Sequence, residues 1–271
     1  MEKSKLELLL KEGKSHREIA SILNMGKSNV GYWVNKLNLT HLNNTKQLTA
    51  YNLNKIDSKE LAYIIGFLLG DSHLKNDIIS VSVALCDIEI VERIQKYFDG
   101  NVRVSNKTDK AKKIYPNASF MRKINGIKKI FGGELKDSRN FPIVSKELER
   151  FLILGFFDAE GCITWGRRKD RDRVWQKISF TSKLGMLIGV QNFLIKRLNI
   201  STIIRPKSNS DCHVLEFSSK SDVLKFCEYI YSDDFNSLNR KREKYEALRL
   251  ELGEFGGSES YTEPSLQSRK V

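Results

Sequence analysis

An apolar run with two glycines four residues apart, Leu61-Ala62-Tyr63-Ile64-Ile65-Gly66-Phe67-Leu68-Leu69-Gly70, stops on a carboxylate, Asp71, followed by Ser72. It has a second copy, Phe151-Leu152-Ile153-Leu154-Gly155-Phe156-Phe157-Asp158-Ala159-Glu160-Gly161, whose acid lies 89 residues on (160 − 71 = 89). Residues i and i+4 share one face of a helix, so Gly66 with Gly70, and Gly155 with Ala159, make strips almost free of side chains. Two such helices are predicted to pack on each other, end at one level and set Asp71 beside Glu160. Paired carboxylates repel unless a cation sits between them, and hard oxygen ligands suit Mg²⁺, held by one or two carboxylates plus substrate phosphates. Phosphodiester chemistry is the expectation. Either run alone also fits an ordinary buried helix or strand; it is the repetition that argues for a site. Neither approaches the ~20 apolar residues of a membrane span.

With 271 residues, 40% of them hydrophobic and 29% charged, the chain can build a core and more than one domain. It carries 46 Lys and Arg against 33 acids, a net charge of +13. So large a field of one sign favours a polyanion, because neutralised phosphates release counterions; a solubility device is the plainer alternative. Cys86, Cys162, Cys212 and Cys227 show no C-x-x-C spacing, and His16, His41, His73 and His213 are scattered, which argues against a zinc site. No signal peptide is expected over Met1–Leu6, and an intracellular, reducing setting with free thiols follows.

Residues 1–40 read as three short helices. Leu6, Leu9 and Leu10 recur at helical spacing before Gly13, and Ser15 with Glu18 predicts a capping box for a second helix burying Ile19, Ala20, Ile22 and Leu23. Asn24-Met25-Gly26 makes a turn, and Ser28 is expected to cap a third helix through Val30, Trp33, Val34 and Leu37. Two helices about a glycine turn suggest a helix-turn-helix, whose last helix would offer Lys27, Ser28, Asn29 and Tyr32 to phosphates and base edges. A protein-docking or folding cap is the alternative. Residues 41–54 read as a linker and 253–271 as a disordered tail.

Residues 55–145 and 146–252 each read as helix, two strands, helix, two strands, helix: an α+β pair of αββαββα half-domains about a pseudo-twofold axis. Ser72–Asp77 is expected as a polar turn, and Asp87 as a helix cap. Laying Val81-Ser82-Val83 on Ile178-Ser179-Phe180, and Phe120–Lys123 on Phe217–Lys220, gives an offset of 97. The eight extra residues (97 − 89) then fall after Glu160, in a longer basic hairpin holding Arg167, Arg168, Lys169, Arg171, Arg173 and Lys177. An asymmetric reader suits an asymmetric DNA site, and Arg suits bidentate contacts to guanine or phosphate; a solvated charge run is the plain alternative. A basic helix over Ser237–Leu252 closes the domain.

At Leu61–Ser72 and Leu152–Gly161 the sequence resembles the LAGLIDADG homing endonucleases of the single-chain, two-motif type, in a layout running from about Lys55 to Leu252. Ser72 stands where that motif usually ends in glycine, which bears on the helix terminus more than on the chemistry. The resemblance implies a monomer cutting both strands of double-stranded DNA at a long asymmetric target, as in intron homing. Asp71 and Glu160 would hold Mg²⁺ or Mn²⁺ with help from the carbonyls of Gly70 and Ala159. Lys123 and Lys220 are the candidate catalytic lysines because they share the offset of 97. Asp158 is set aside because its counterpart Leu69 is apolar. Ser80, Ser82, Arg103, Lys177, Ser179 and Arg205 would line a basic saddle on DNA, although strand alternation leaves either face open. Alternatives on the same fold are a non-cleaving transcription regulator and a splicing maturase acting on intron RNA.

Overall fold

Serine side chains cap three of the helix starts, at Ser15, Ser58 and Ser219. The computed structural model describes residues 3–12, 14–39, 50–108, 112–168 and 173–252. The chain divides into two compact units, Met1–Ala50 and Tyr51–Val271.

The first unit is three helices, α1 (Lys3–Lys11), α2 (His16–Ile22) and α3 (Lys27–Lys36), with a core of their own. Ser15 caps α2 and forms the reciprocal box with Glu18. The third helix begins two residues earlier than its serine suggests: Gly26 is its N-cap, and Ser28 lies inside it, exposed. Ile22 is 51% exposed rather than buried, since α2 ends there and the chain turns away.

The second unit opens with β1 (Tyr51–Asn52), which pairs in parallel with Ile124–Asn125, and Leu53 is buried behind it. Residues 51–53, expected in the linker, are therefore part of this unit. The first half continues as α4 (Lys59–Asp71), β2 (Ser72–Lys75), β3 (Ile78–Ala84), α5 (Ile88–Phe98), β4 (Asn101–Thr108), β5 (Ile114–Asn125) and α6 (Ile127–Phe131). The second runs α7 (Lys146–Glu160), β6 (Gly161–Arg168), β7 (Arg173–Ser182), α8 (Leu184–Leu198), β8 (Ile204–Pro206), β9 (His213–Phe217) and α9 (Lys220–Ile230), and α10 (Asn239–Glu251) closes it. One sheet has the order β1-β5-β3-β2 with β4 also on β5; the other has β6-β7-β9-β8. The expected half-domain order is present twice.

The polar stretch after Asp71 is strand as far as Lys75, and the turn is only Asn76–Asp77, both left-handed (φ 51° and 59°), which suits a two-residue hairpin. Asp87 precedes α5 without a capping hydrogen bond; its carboxylate instead takes a forked pair from Arg240 at 2.7 and 2.9 Å.

The two acid-bearing helices cross at their glycines. A methyl on Gly66 would stand 2.1 Å from the Leu152 carbonyl oxygen, and one on Gly155 would stand 1.9 Å from that of Tyr63. Backbone meets backbone at this seam, and from Leu61 to Gly70 every residue of α4 is buried. Aromatic rings extend the core into the second sheet, with Phe157 and Phe226 set edge-on to Phe180 at 5.3 and 5.8 Å. Among the described residues no helix is long and apolar enough to cross a membrane.

The halves are not copies. The hairpin after the acid has four residue pairs in the first half and eight in the second, whereas β4–β5 has eight and β8–β9 three. Each half thus extends a different hairpin.

Candidate active site at the crossing of the two helices

Close crossing at Gly66 and Gly155 leaves the ends of α4 and α7 together. A methyl on Gly70 would lie 2.6 Å from both the Ala159 methyl and Glu160 Cγ, so Glu160 hangs beside the residue that precedes Asp71. The Asp71 side is open to solvent and Glu160 is half-buried, yet dense surroundings raise both carboxyl pKa values. Lys136 opposes the rise at each acid, and the Asp71 charge adds to it at Glu160.

An α-helix leaves its last carbonyls without internal partners, and here cations take them. Arg139, 1% exposed, donates from one guanidinium nitrogen to Leu69 O and Ser72 O, at 3.1 Å each. Lys241, 4% exposed, donates to Phe157 O, to Asp158 O at 2.7 Å and to Gly161 O at 2.6 Å. Asp158 and Gly161 lie 89 residues beyond Leu69 and Ser72 (158 − 69 = 89 and 161 − 72 = 89), so the two cations serve equivalent places. Burial lowers the Lys241 ammonium to about 8 and the Arg139 guanidinium to about 10. Positive charge at a helix C-terminus is favourable.

Lys136, in a short turn before Arg139, donates to the Gly70 carbonyl and stands 3.9 Å from Glu160 Oε1. Gly70 O and the Glu160 carboxylate thus share one positive charge, which also acts on Asp71. Asp158 is structural: it is 1% exposed, accepts from the Tyr63 hydroxyl at 2.7 Å and from the Leu238 N–H at 2.9 Å, and burial pushes its carboxyl up to about 6.

Lys123 and Lys220 are not equivalent. The ladders pair Ser72 with Val81 but Gly161 with Phe180, so from the acids outward Val81 corresponds to Phe180, an offset of 99 (180 − 81). Phe120 then corresponds to Leu215, an offset of 95 (215 − 120), and Lys123 to Ser218. An antiparallel ladder keeps the sum of paired residue numbers, so shifts of +2 and −2 cancel. Val81–Phe120 and Ile178–Phe217 therefore remain genuine pairs under the offset of 97. The insertion after Glu160 is ten residues (99 − 89) rather than eight. Lys123 is exposed on β5, and Lys220, exposed at the start of α9, donates to Leu252 O at 3.4 Å.

Burial settles the strand faces. Ser80 and Ser82 alternate with buried Ile79, Val81 and Val83, and Arg103 sits across Ser119 from Ser82 on the same open face. Lys177 and Ser179 alternate with buried Gln176, Ile178 and Phe180, and Arg205 is exposed at the sheet's edge strand. Two of these cations already face carboxylates: Lys177 meets Glu216 at 3.1 Å and Arg167 meets Glu251 at 2.7 Å. Arg168 and Arg173 pair across the hairpin, while Lys169 and Arg171 lie outside the described residues, as does the expected tail.

The family model of the LAGLIDADG-like domain matches residues 147–231. Residues 147–231 are thus similar to a LAGLIDADG-like domain. The second unit has the LAGLIDADG homing endonuclease fold, and both motif helices are in place. I-SmaMI bound to an uncleaved DNA target in the presence of calcium ions aligns with a TM-score of 0.50 at 13% identity, covering 73% of this chain and 91% of that one. A lysine-to-alanine variant of I-SmaMI aligns at 0.51 and 13%, covering 74% and 93%. No curated protein matches the sequence. The seam between α4 and α7, with its acids and C-terminal cations, is where the two halves meet.

Proposed function

We propose that the chain is a site-specific DNA endonuclease that makes a double-strand break by metal-dependent hydrolysis at a long asymmetric target, in the manner of intron homing. The observation that carries this is the backbone-on-backbone crossing at Gly66 and Gly155, with Glu160 beside Gly70 and within electrostatic reach of Asp71. Structural relatives such as I-SmaMI, which binds a DNA target with calcium present, support it.

Among the described residues no three His, Cys, Asp or Glu side chains cluster tightly enough to hold a metal unaided. Two carboxylates and the Gly70 carbonyl nevertheless suit a hard cation that takes its other ligands from water and substrate phosphate. The Gly70 carbonyl and the Glu160 carboxylate already meet the ammonium of Lys136, whose charge also acts on Asp71. Asp71, Glu160, Gly70 O and Ala159 O would hold Mg²⁺ or Mn²⁺, which when bound supplies an acidified water and counter-charge for the leaving oxygen. Lys136 stabilises charge developing on the phosphate, and Arg139 and Lys241 fix the carbonyls that aim the acids. The open faces carrying Arg103, Lys177 and Arg205 hold the duplex by its phosphates, with one monomer contacting both strands.

The test is to incubate the purified chain with a randomised linear DNA library and Mg²⁺ and to sequence the ends produced. Cutting at very few sites is expected. Asp71→Asn and Glu160→Gln should each abolish it while binding persists; undiminished cutting by both variants overturns the proposal. A pure regulator or an RNA maturase would leave every DNA end uncut.

A further inference from the structure

The amino-terminal unit is a finished small fold. Leu6, Leu10, Ile19, Val30 and Val34 close its core. The start of α2 is pinned twice: the Ser15 N–H donates to the Glu18 carboxylate at 2.7 Å, and the Glu18 N–H donates to Ser15 Oγ at 3.3 Å. Leu23–Gly26 then turns the chain, with Asn24 left-handed at φ 50°, into α3. Helix, tight turn and second helix sit on a supporting first helix.

Its acids are kept off the third helix. The described residues of this unit hold seven Lys and Arg against three acids. Glu7 pairs with Lys11 at 3.0 Å on α1, and Glu18 is held in the α2 cap. Helix α3, Lys27–Lys36, has no acid at all. It buries Val30 and Val34 and exposes Lys27, Ser28, Asn29, Tyr32 and Lys36. The Lys36 ammonium lies over the Tyr32 and Trp33 rings at 5.4 and 4.9 Å, so charge and aromatic surface form one patch.

We propose that α3 lies in the major groove of duplex DNA, with Ser28, Asn29 and Tyr32 at base edges and Lys27 and Lys36 at phosphates. The chain would then read a second block of bases, apart from the one under the two sheets. A helix about 10–12 Å across fits the ~12 Å major groove of B-DNA, whereas the major groove of A-form RNA is too narrow to be read that way. Asparagine pairs bidentately with adenine. Residues 40–49 span at most about 35 Å even fully stretched, on the order of one duplex turn. The two blocks should therefore lie close together. Only the expectation of two blocks rests on the nuclease reading.

The test selects duplexes from a randomised library with the full chain in EDTA, and repeats the selection with a full-length Asn29→Ala/Tyr32→Ala double variant. Both substituted side chains are exposed, and an unchanged melting curve checks that the fold is intact. The parent chain should select two blocks and the variant only one, with its affinity for the parent's best duplex at least ~10-fold weaker. Lys36→Glu should weaken binding to every sequence and lower the slope of log affinity on log salt by about one. Identical selected sequences and affinities, or preferential capture of an RNA hairpin through Asn29 and Tyr32, overturn the inference. If only the block lost in the variant is ever selected, the amino-terminal reading stands and the DNA-binding role of the larger unit falls.

Discussion

The Lys136 ammonium reaches oxygens of both motif helices, through Gly70 O and the nearby Glu160 carboxylate. A cation aimed where phosphate charge grows contributes far more to the transition state than to ground-state binding. Lys136→Met should therefore cut single-turnover cleavage about 100-fold with DNA affinity little changed, whereas Lys123→Met should leave the cleavage rate near that of the parent. Equal effects would return Lys123 to the site. Asp158 tests the buried side of the same helix. The folded chain keeps its proton to about pH 6, whereas the ordinary value is 3.8. Folding therefore takes up a proton between these values, and stability falls as pH rises from 4 to 6, by on the order of 3 kcal/mol at full ionisation. Asp158→Asn keeps an acceptor for Tyr63 and Leu238 without the charge, and should flatten that part of a plot of melting temperature against pH.

The seam is fixed at the scale of the helix pair. A methyl at Gly66 or Gly155 would meet the facing carbonyl near 2 Å, and a backbone cannot rotate aside as a side chain can. Gly66→Ala should cost at least ~3 kcal/mol, above the usual range for overpacking because the obstacle is main chain, and lower the midpoint in urea. Gly70→Ala should be milder, since it meets the Ala159 methyl and the flexible Glu160 stem. A midpoint unchanged by Gly66→Ala would mean the helices do not touch there. This seam was legible in the sequence because close packing leaves a local mark, small residues at helical spacing, and because it occurs twice. The capping cations were not. Arg139 and Lys241 lie 70 and 83 residues from the Leu69 and Asp158 carbonyls they satisfy, and no periodicity links them. The available signal was physical: two buried helix ends must find donors, and each half places basic residues after its last helix. The lysine register failed for a different reason, since pairing within a hairpin survives opposite shifts of its two strands.

Across the whole second unit, the two halves share a plan but extend different arms. The first half lengthens β4–β5, which carries Arg103 and Lys107, and the second lengthens β6–β7, which carries Arg167, Arg168 and Arg173. On the proposed DNA reading, an exact twofold would let either half sit on either half-site, whereas unlike arms would tie each half to its own sequence. The distribution of charge differs as well. In the second sheet Glu216 answers Lys177 and Glu251 answers Arg167, so phosphate must compete there for partly paired cations. Such pairs are worth little when exposed to water and can open toward DNA, but the opening lowers the net gain of that side. Once a natural target is known from its cut ends, two palindromes can be made from it, each repeating one half-site. Both should bind at least ~10-fold more weakly than the parent site, at several mismatches of ~1–3 kcal/mol each. The palindrome of the first half-site should keep more of the salt-dependent affinity than the other, because β4–β5 meets it without a described carboxylate partner for Arg103. Gel-shift titrations at two salt concentrations measure both effects. Palindromes that bind as tightly as the parent would mean that the differing hairpins do not set the polarity of recognition.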